Sequence, residues 1–298
     1  MEVLVTGATG FVGGRLVPEL VRRGHDVTAL VRDPAGYDPP PDVSVVQGDL
    51  LDEATVAEAF DGMDAVYYLV HSMRAGEDFA ERDRRAARNF VAATEGAGVD
   101  RVIYLGGLGE EGSDLSDHLA SRREVESVLA EGEYELTTFR AAIIVGAGSA
   151  SFEMVCQLAD RLPVMVTPRW VDTPCQPIAI SDVVAYLAGS LDAPETAGET
   201  FEIGGPDILT YREMLERTAA AMDHRVWILP VPVLTPTLSA YWVDLVTSIP
   251  RSVAHPLIDG LKTPVIADDE SIRDHVVVDL TPFDEAVRQA IAEREVTS

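Results

Sequence analysis

Lysine is all but missing from this 298-residue chain. Lys262 is the single one, so arginine supplies the other 22 of the 23 basic side chains, and these face 50 aspartates and glutamates for a formal net charge of −27. A surface that negative repels nucleic-acid backbones and anionic lipid. Broad nucleic-acid binding is excluded, and any anion the protein holds needs a local pocket. Acidic excess with so little lysine resembles proteins of salt-loving microbes, whose solvent screens charge repulsion to about 3 Å at molar ionic strength.

Cysteine is scarce too. Cys156 and Cys175 are too few for a disulfide framework and lack zinc-ligand spacing, so no metal site is expected and both are read as thiols in a reducing cytosol. No basic and apolar leader precedes MEVLVTGATG, and the chain reads as unprocessed and cytoplasmic. Nor is there an unbroken apolar run of membrane-spanning length. The longest candidate, 226–250, is interrupted by Pro230, Pro232, Pro236 and Asp244. That stretch, with Tyr241 and Trp242, is expected to form a pocket wall or a peripheral membrane contact.

What the sequence does contain is alternation. Short apolar runs at 2–6, 26–31, 43–47, 65–69, 102–105 and 136–140 are separated by helical patterns at 11–23, 52–60, 79–97 and 118–131. This is the pattern of βαβ units, and it predicts an α/β fold with a doubly wound parallel sheet. Pro18 should kink the first helix or shift its start. After Ala141 the pattern changes: prolines crowd 163–177 and 226–264, and only two further helices stand out, 211–222 and 283–293. Thr210 with Glu213 makes a capping box for the first of these. The expected division is a nucleotide-binding domain over 1–145 and a smaller substrate lobe over 146–298, with 178–205 returning to the main sheet. A monomer or homodimer is expected.

The most specific motif is TGATGFVGG, which joins the first strand to the first helix. There Gly7 permits a sharp turn, Gly10 a close approach to a pyrophosphate and Gly13 tight packing of helix on strand, with the helix amino end favouring the anion. This stretch resembles the T-G-x-x-G-x-x-G motif of extended and atypical short-chain dehydrogenases/reductases. GDLLD (48–52), VYYLVHSM (66–73), VIYLGGLG (102–109) and FEIGGPDILTYREM (201–214) agree with that family. The similarity is greatest to its atypical NAD(P)-binding branch, which includes NmrA-like regulators and the respiratory complex I accessory subunit. It implies a Rossmann fold in which Gly7, Thr9, Gly10, Phe11, Val12 and Gly13 hold the cofactor phosphates, Asp49 and Leu50 flank the adenine, and Leu69, Val70 and His71 border the ribose and nicotinamide end. At the end of the second strand stands Arg32, suited to the 2′-phosphate of NADP, with Asp33, suited to NAD, beside it. NADP is the expected cofactor and NAD the alternative.

The resemblance also implies a serine at the end of the fifth strand and a Tyr-x-x-x-Lys on the next helix. Here Gly106 and Gly107 stand in place of the serine, His118 falls at the tyrosine position and Arg122 at the lysine position. Histidine can exchange a proton near neutrality, whereas arginine can clamp ribose or phosphate but cannot tune a neighbour by losing its own proton. His71, with Ser72 beside it at the carboxyl edge of the sheet, is the competing candidate for proton transfer. Arg169, Trp170 and Gln176, on a segment expected to face the cleft, are candidates for substrate contact. Two functions follow. One is an NADP-dependent oxidoreductase acting on a small apolar carbonyl, alkene or quinone-like substrate with His118 or His71 as proton donor. The other is a non-catalytic NAD(P)-binding regulatory or assembly protein.

Overall fold

Val3, Leu4 and Val5 in β1 (Glu2–Thr6) are buried without exception, so both faces of this strand are covered, as the interior of a parallel sheet requires. In a computed structural model of the protein, describing residues 1–72, 78–109, 117–167, 169–230, 263–268 and 271–297, β1 is an interior strand of a seven-stranded sheet. Its companions are β2 (Asp26–Val31), β3 (Val43–Gln47), β4 (Ala65–Tyr68), β5 (Arg101–Gly107), β6 (Glu135–Ala141) and β7 (Thr200–Ile203). The order is β7-β6-β5-β4-β1-β2-β3, and every neighbouring pair is parallel. The order reverses between β1 and β4, so the connections leaving these strands diverge and open a crevice at their carboxyl ends.

Helices cover both faces. On one side α1 (Gly13–Arg22) packs beside α5 (Ile180–Leu191), and Leu16, Val17 and Leu20 join Val183, Leu187 and the sheet in one core. Each such buried side chain contributes about 1.5–3 kcal/mol relative to exposure. On the other side α2 (Phe79–Thr94) packs on α3 (Asp117–Leu129), with Phe90, Val125 and Leu129 in a second core. A third core joins α4 (Ala150–Arg161), α6 (Tyr211–Ala221) and α7 (Phe283–Thr297) over the carboxyl edge of the sheet. The capping box is present at Thr210 and Glu213. Segment 227–230 pairs in parallel with 164–167, whereas Tyr241 and Trp242 lie outside the described residues.

Two local expectations are corrected. Pro18 lies inside α1 and does not mark its start, which is at Gly13. Both Pro18 and Gly14, whose carbonyl the missing N–H leaves without a helical donor, are on the exposed face where water can serve instead. The helix expected over 52–60 is replaced by two 3₁₀ turns, Glu53–Thr55 and Ala57–Phe60. The Thr55 hydroxyl donates to the Asp52 carbonyl at 2.8 Å and accepts the Asp49 N–H at 2.9 Å, which offers the backbone a local alternative to the α-helical ladder.

Candidate functional site

The crevice at the β1/β4 divergence is a cleft of about 1050 Å³, at the upper end of the range for small-molecule sites. Its floor is the glycine turn. Gly7 adopts φ +72°, and a Cβ there would lie 2.7 Å from the Leu69 carbonyl oxygen. A Cβ on Gly13 would collide with the Gly7 carbonyl and sit 2.9 Å from the Ala8 Cα. The turn closes with the Gly10 N–H donating to the Gly7 carbonyl at 2.9 Å. No side chain caps α1 at Val12, and its first turn holds no acidic residue. The positive end of the helix dipole is therefore left facing the cleft, where Thr9, Gly10, Phe11, Val12 and Gly13 form the lining. This bare backbone cradle fits a dinucleotide pyrophosphate.

At one end of the cleft stand Arg32, Asp49 and Leu50. Asp33 is turned away from it, its carboxylate accepting the Ala35 N–H at 3.1 Å to cap the turn Pro34–Gly36. Asp49 accepts the Leu51 N–H at 2.9 Å. The Arg32 guanidinium has no hydrogen-bond or ion-pair partner among the described residues, although its carbonyl accepts from Gln47 Nε2 at 3.1 Å.

The other end is built around a buried carboxylate. Asp83, 2% exposed, receives His71 Nδ1 at 2.6 Å on one oxygen and the Ser72 N–H at 2.7 Å on the other. Burial by itself raises the Asp83 carboxyl, but the bonds from His71 and Ser72 outweigh it and hold the group below its ordinary value. Burial lowers His71 below its ordinary value. The Asp83 bond opposes that, and the nearby Arg122 charge adds to it. His71, Ser72, Leu69 and Val70 all line the cleft. The carboxylate therefore fixes the imidazole orientation with Nδ1 as donor, leaving the second ring nitrogen as the one able to exchange a proton.

Arg122 is held close by: its guanidinium donates to the Leu105 carbonyl and lies over the Tyr104 ring, with 5.3 Å from Cζ to the ring centroid. Gly106 and Gly107 end β5 in the cleft wall, and Leu119 takes the space a side chain at 107 would need, lying 2.8 Å from a Cβ built there. The backbone of His118 lies in α3, and its side chain is outside the described part of the structure. Arg169 and Trp170 lie in the short turn Arg169–Asp172, and their side chains are likewise outside it. Gln176, expected beside a substrate, is not among the residues of the cleft wall. It is buried, with Nε2 donating to the Gly205 carbonyl at 2.8 Å and Oε1 accepting the Ala267 N–H at 3.0 Å, a tie between backbone segments.

One wall of the cleft is apolar, with Met154, Val155, Leu158, Leu215 and Val265 around Cys175 and Tyr211. Burial pushes the Cys175 thiol up to about 11, so it stays a thiol, and it also raises Tyr211, which is hydrogen-bonded to Cys175. Sequence reasoning missed Asp83, Tyr211 and Arg15. Asp83 carried a signal, because it falls in the stripe Phe79, Asp83, Ala86, Ala87 and Phe90 that α2 buries. Arg15 bonds the Phe11 and Ala147 carbonyls at 2.8 and 2.9 Å and pairs with Glu293 of α7.

Residues 7–142 match the NAD(P)H-binding family. The chain is 28% identical over 256 residues to the 2-alkyl-3-oxoalkanoate reductase of Stenotrophomonas maltophilia, an alignment covering 74% of this chain and 76% of that one. It is 26% identical over 226 residues to subunit 9 of the NADH dehydrogenase [ubiquinone] 1 alpha subcomplex of Arabidopsis thaliana, covering 71% of this chain and 56% of that longer protein. Among solved structures, the triphenylmethane reductase of a Citrobacter species superposes with a TM-score of 0.80 at 18% identity, covering 98% of this chain and all of that one. At that identity the likeness is one of fold. No helix among the described residues is long and apolar enough to cross a membrane.

Proposed function

We propose that this chain, whose residues 7–142 match the NAD(P)H-binding family, is an atypical short-chain dehydrogenase/reductase that acts as an NADP-dependent oxidoreductase for a small apolar carbonyl, alkene or quinone-like substrate. The reading rests on one observation above the rest: a buried His71–Asp83 pair at 2.6 Å beside an apolar chamber, at the far end of a cleft whose floor is the glycine turn. The similarity to a 2-alkyl-3-oxoalkanoate reductase supports reduction of a carbonyl.

Gly7, Gly10, Gly13 and the amino end of α1 would hold the pyrophosphate, with Asp49 and Leu50 at the adenine. Leu69 and Val70 would border the nicotinamide side. When bound, the dinucleotide supplies the hydride. Protonated His71 gives the proton from the ring nitrogen not bonded to Asp83, and Asp83 keeps the Nδ1–H and orients the ring throughout. Ser72, fixed through its N–H, lines the cleft beside His71 and would offer its hydroxyl to the substrate. Arg122, tied to the Leu105 carbonyl, contributes positive charge and a wall, the part that remains for a residue unable to release its proton. Met154, Val155, Leu158 and Leu215 exclude water and select an apolar substrate.

Equilibrium titration with NADPH and NADH in concentrated potassium chloride, followed by nicotinamide fluorescence decay against quinones, aldehydes and enones, tests this. NADPH is expected to bind and to be consumed with at least one acceptor class, and His71→Gln to retain binding while losing consumption. Tight binding with no decay on any acceptor would overturn the reading and leave a protein that only holds the dinucleotide.

A further inference from the structure

Two helices begin in the cleft wall, α1 and α4. The amino end of α1 takes the dinucleotide in the reading above, which leaves the amino end of α4 without a role. Ser149 stands at its N-cap position, where a serine hydroxyl ordinarily accepts an N–H of the first turn. Here it makes no such bond. Ser149 is only 7% exposed and lines the cleft. Its hydroxyl bonds no described residue, and it is not sealed in the interior as the Thr167 and Thr218 hydroxyls are, so the exposure it keeps is toward the cleft. The N–H groups of Ala150, Ser151 and Phe152 likewise find no acceptor among the described residues. Glu153, the carboxylate of the first turn, is engaged elsewhere: one oxygen accepts the Gly148 N–H at 3.3 Å and the other pairs with Arg294 at 3.3 Å. A helix start in a cleft wall with donors and no acceptor suits an anionic oxygen.

The rest of α4 indicates what that oxygen is attached to. Ser151, Met154, Val155 and Leu158 fall at i, i+3, i+4 and i+7, so they share one helix face, and all four line the cleft. At the α-helical rise this stripe runs about 10 Å from Ser151 to Leu158, polar at its start and apolar beyond. A ligand that matches it carries its charge at one end of an apolar body. The start of α4 also lies against the dinucleotide floor: Arg15 donates to the carbonyls of Phe11 and Ala147 at 2.8 and 2.9 Å, and a Cβ on Gly146 would lie 3.0 Å from the Phe11 ring. A molecule held there is a neighbour of the dinucleotide, as a partner in hydride transfer must be.

We propose that the amino end of α4, with the Ser149 hydroxyl, binds the carboxylate of an amphipathic substrate whose apolar body lies along Met154, Val155 and Leu158. The proposal rests on the oxidoreductase reading above and narrows its apolar substrate to one that bears an acid group. Donors in direct contact suit this protein. At −27 its long-range field repels a carboxylate, and in concentrated salt any distant attraction is screened, so only groups that touch the carboxylate can hold it.

The test is calorimetric titration of octanoate, butyrate and 1-octanol, with NADPH present, into the wild type, Ser149→Ala and Ser149→Asp. Wild type should bind octanoate more tightly than 1-octanol, a preference that a chain of net charge −27 owes to a local site. Butyrate should bind at least about tenfold more weakly than octanoate, for want of apolar contact. Ser149→Ala should weaken octanoate about tenfold, the scale of one hydrogen bond to a charged group, and leave 1-octanol and NADPH unchanged. Ser149→Asp places another favoured N-cap residue at the helix start, so it should resist urea at least as well as Ser149→Ala and yet lose the preference for octanoate. Equal weakening of octanoate and 1-octanol by Ser149→Ala overturns the site, and so does a wild type that does not distinguish them. Loss of NADPH affinity in place of octanoate affinity also overturns it and assigns the start of α4 to a cofactor phosphate. If octanoate binding follows the expected pattern and NADPH is consumed with no acceptor, the oxidoreductase reading fails while the carboxylate site stands.

Discussion

Replacing Gly13 and Gly14 one at a time by alanine separates cofactor geometry from helix propensity at adjacent residues. A Cβ on Gly13 collides with the Gly7 carbonyl and comes within 2.9 Å of the Ala8 Cα, both backbone atoms of the turn itself. Relief requires the turn to move, and overpacking of this kind costs about 1–3 kcal/mol. The same displacement moves the N–H groups that would meet the pyrophosphate, so dinucleotide affinity should fall by about ten- to a hundredfold, each factor of ten being about 1.4 kcal/mol. On Gly14 a Cβ meets only the Ala8 carbonyl oxygen at 3.6 Å, an ordinary contact, and the position is exposed. Alanine there should leave binding intact and gain up to about 1 kcal/mol of stability from helix propensity. Urea unfolding gives the stability difference, and NADPH fluorescence titration gives the affinity. Wild-type affinity in Gly13→Ala would refute the assignment of the turn, and so would equal loss in both variants.

Gly107→Ser, which restores a hydroxyl at the end of β5, should destabilise by about 1–3 kcal/mol because its Cβ would lie 2.8 Å from Leu119, and Leu119→Ala should relieve that cost in the double variant; additive losses on urea unfolding would contradict the packing account. Burial lowers both His71 and His25 in the folded state, so between those lowered values and the unfolded value of about 6.5 the unfolded chain binds more protons. Stability should therefore fall as pH drops below about 6.5, by at most about 1.4 kcal/mol per pH unit for each histidine, and His71→Gln should flatten the curve; an unchanged slope would count against the buried neutral ring. With a net charge of −27 the melting temperature should climb as potassium chloride is raised from low to molar concentration, and calorimetric scans that showed no rise would remove the case for a salt-adapted surface.

The parts of this molecule legible in its sequence are those set by local rules. The glycine turn could be read because each of its glycines answers a steric demand, and the αβ alternation because buried parallel strands are apolar on both faces. The capping box at Thr210 was visible for the same reason. What escaped depended on distant partners. Asp83 looked like one charge among many in ERDRRAARN, and its meaning comes from His71 and Ser72, on the loop after β4. Arg15 directly follows the glycine motif, yet its carboxylate partner, Glu293, is 278 residues away. Gln176 had the chemistry of a substrate ligand, but burial between 205 and 267 assigns its amide to the backbone. The turns at 53–60 defeated a helix reading because a single threonine hydroxyl at Thr55 competed for the backbone.

The central claim is that His71, held by Asp83, delivers the proton that accompanies hydride transfer. It is tested most directly by the pH dependence of single-turnover NADPH oxidation with an acceptor from the screen, compared among wild type, His71→Gln, Asp83→Asn and His118→Ala. The wild-type rate is expected to fall as pH rises through the lowered His71 value, because the acid form is lost. His71→Gln should abolish that dependence with NADPH affinity retained, and Asp83→Asn should displace it. A wild-type profile in His71→Gln, or a loss confined to His118→Ala, would contradict the account and move the proton donor to α3.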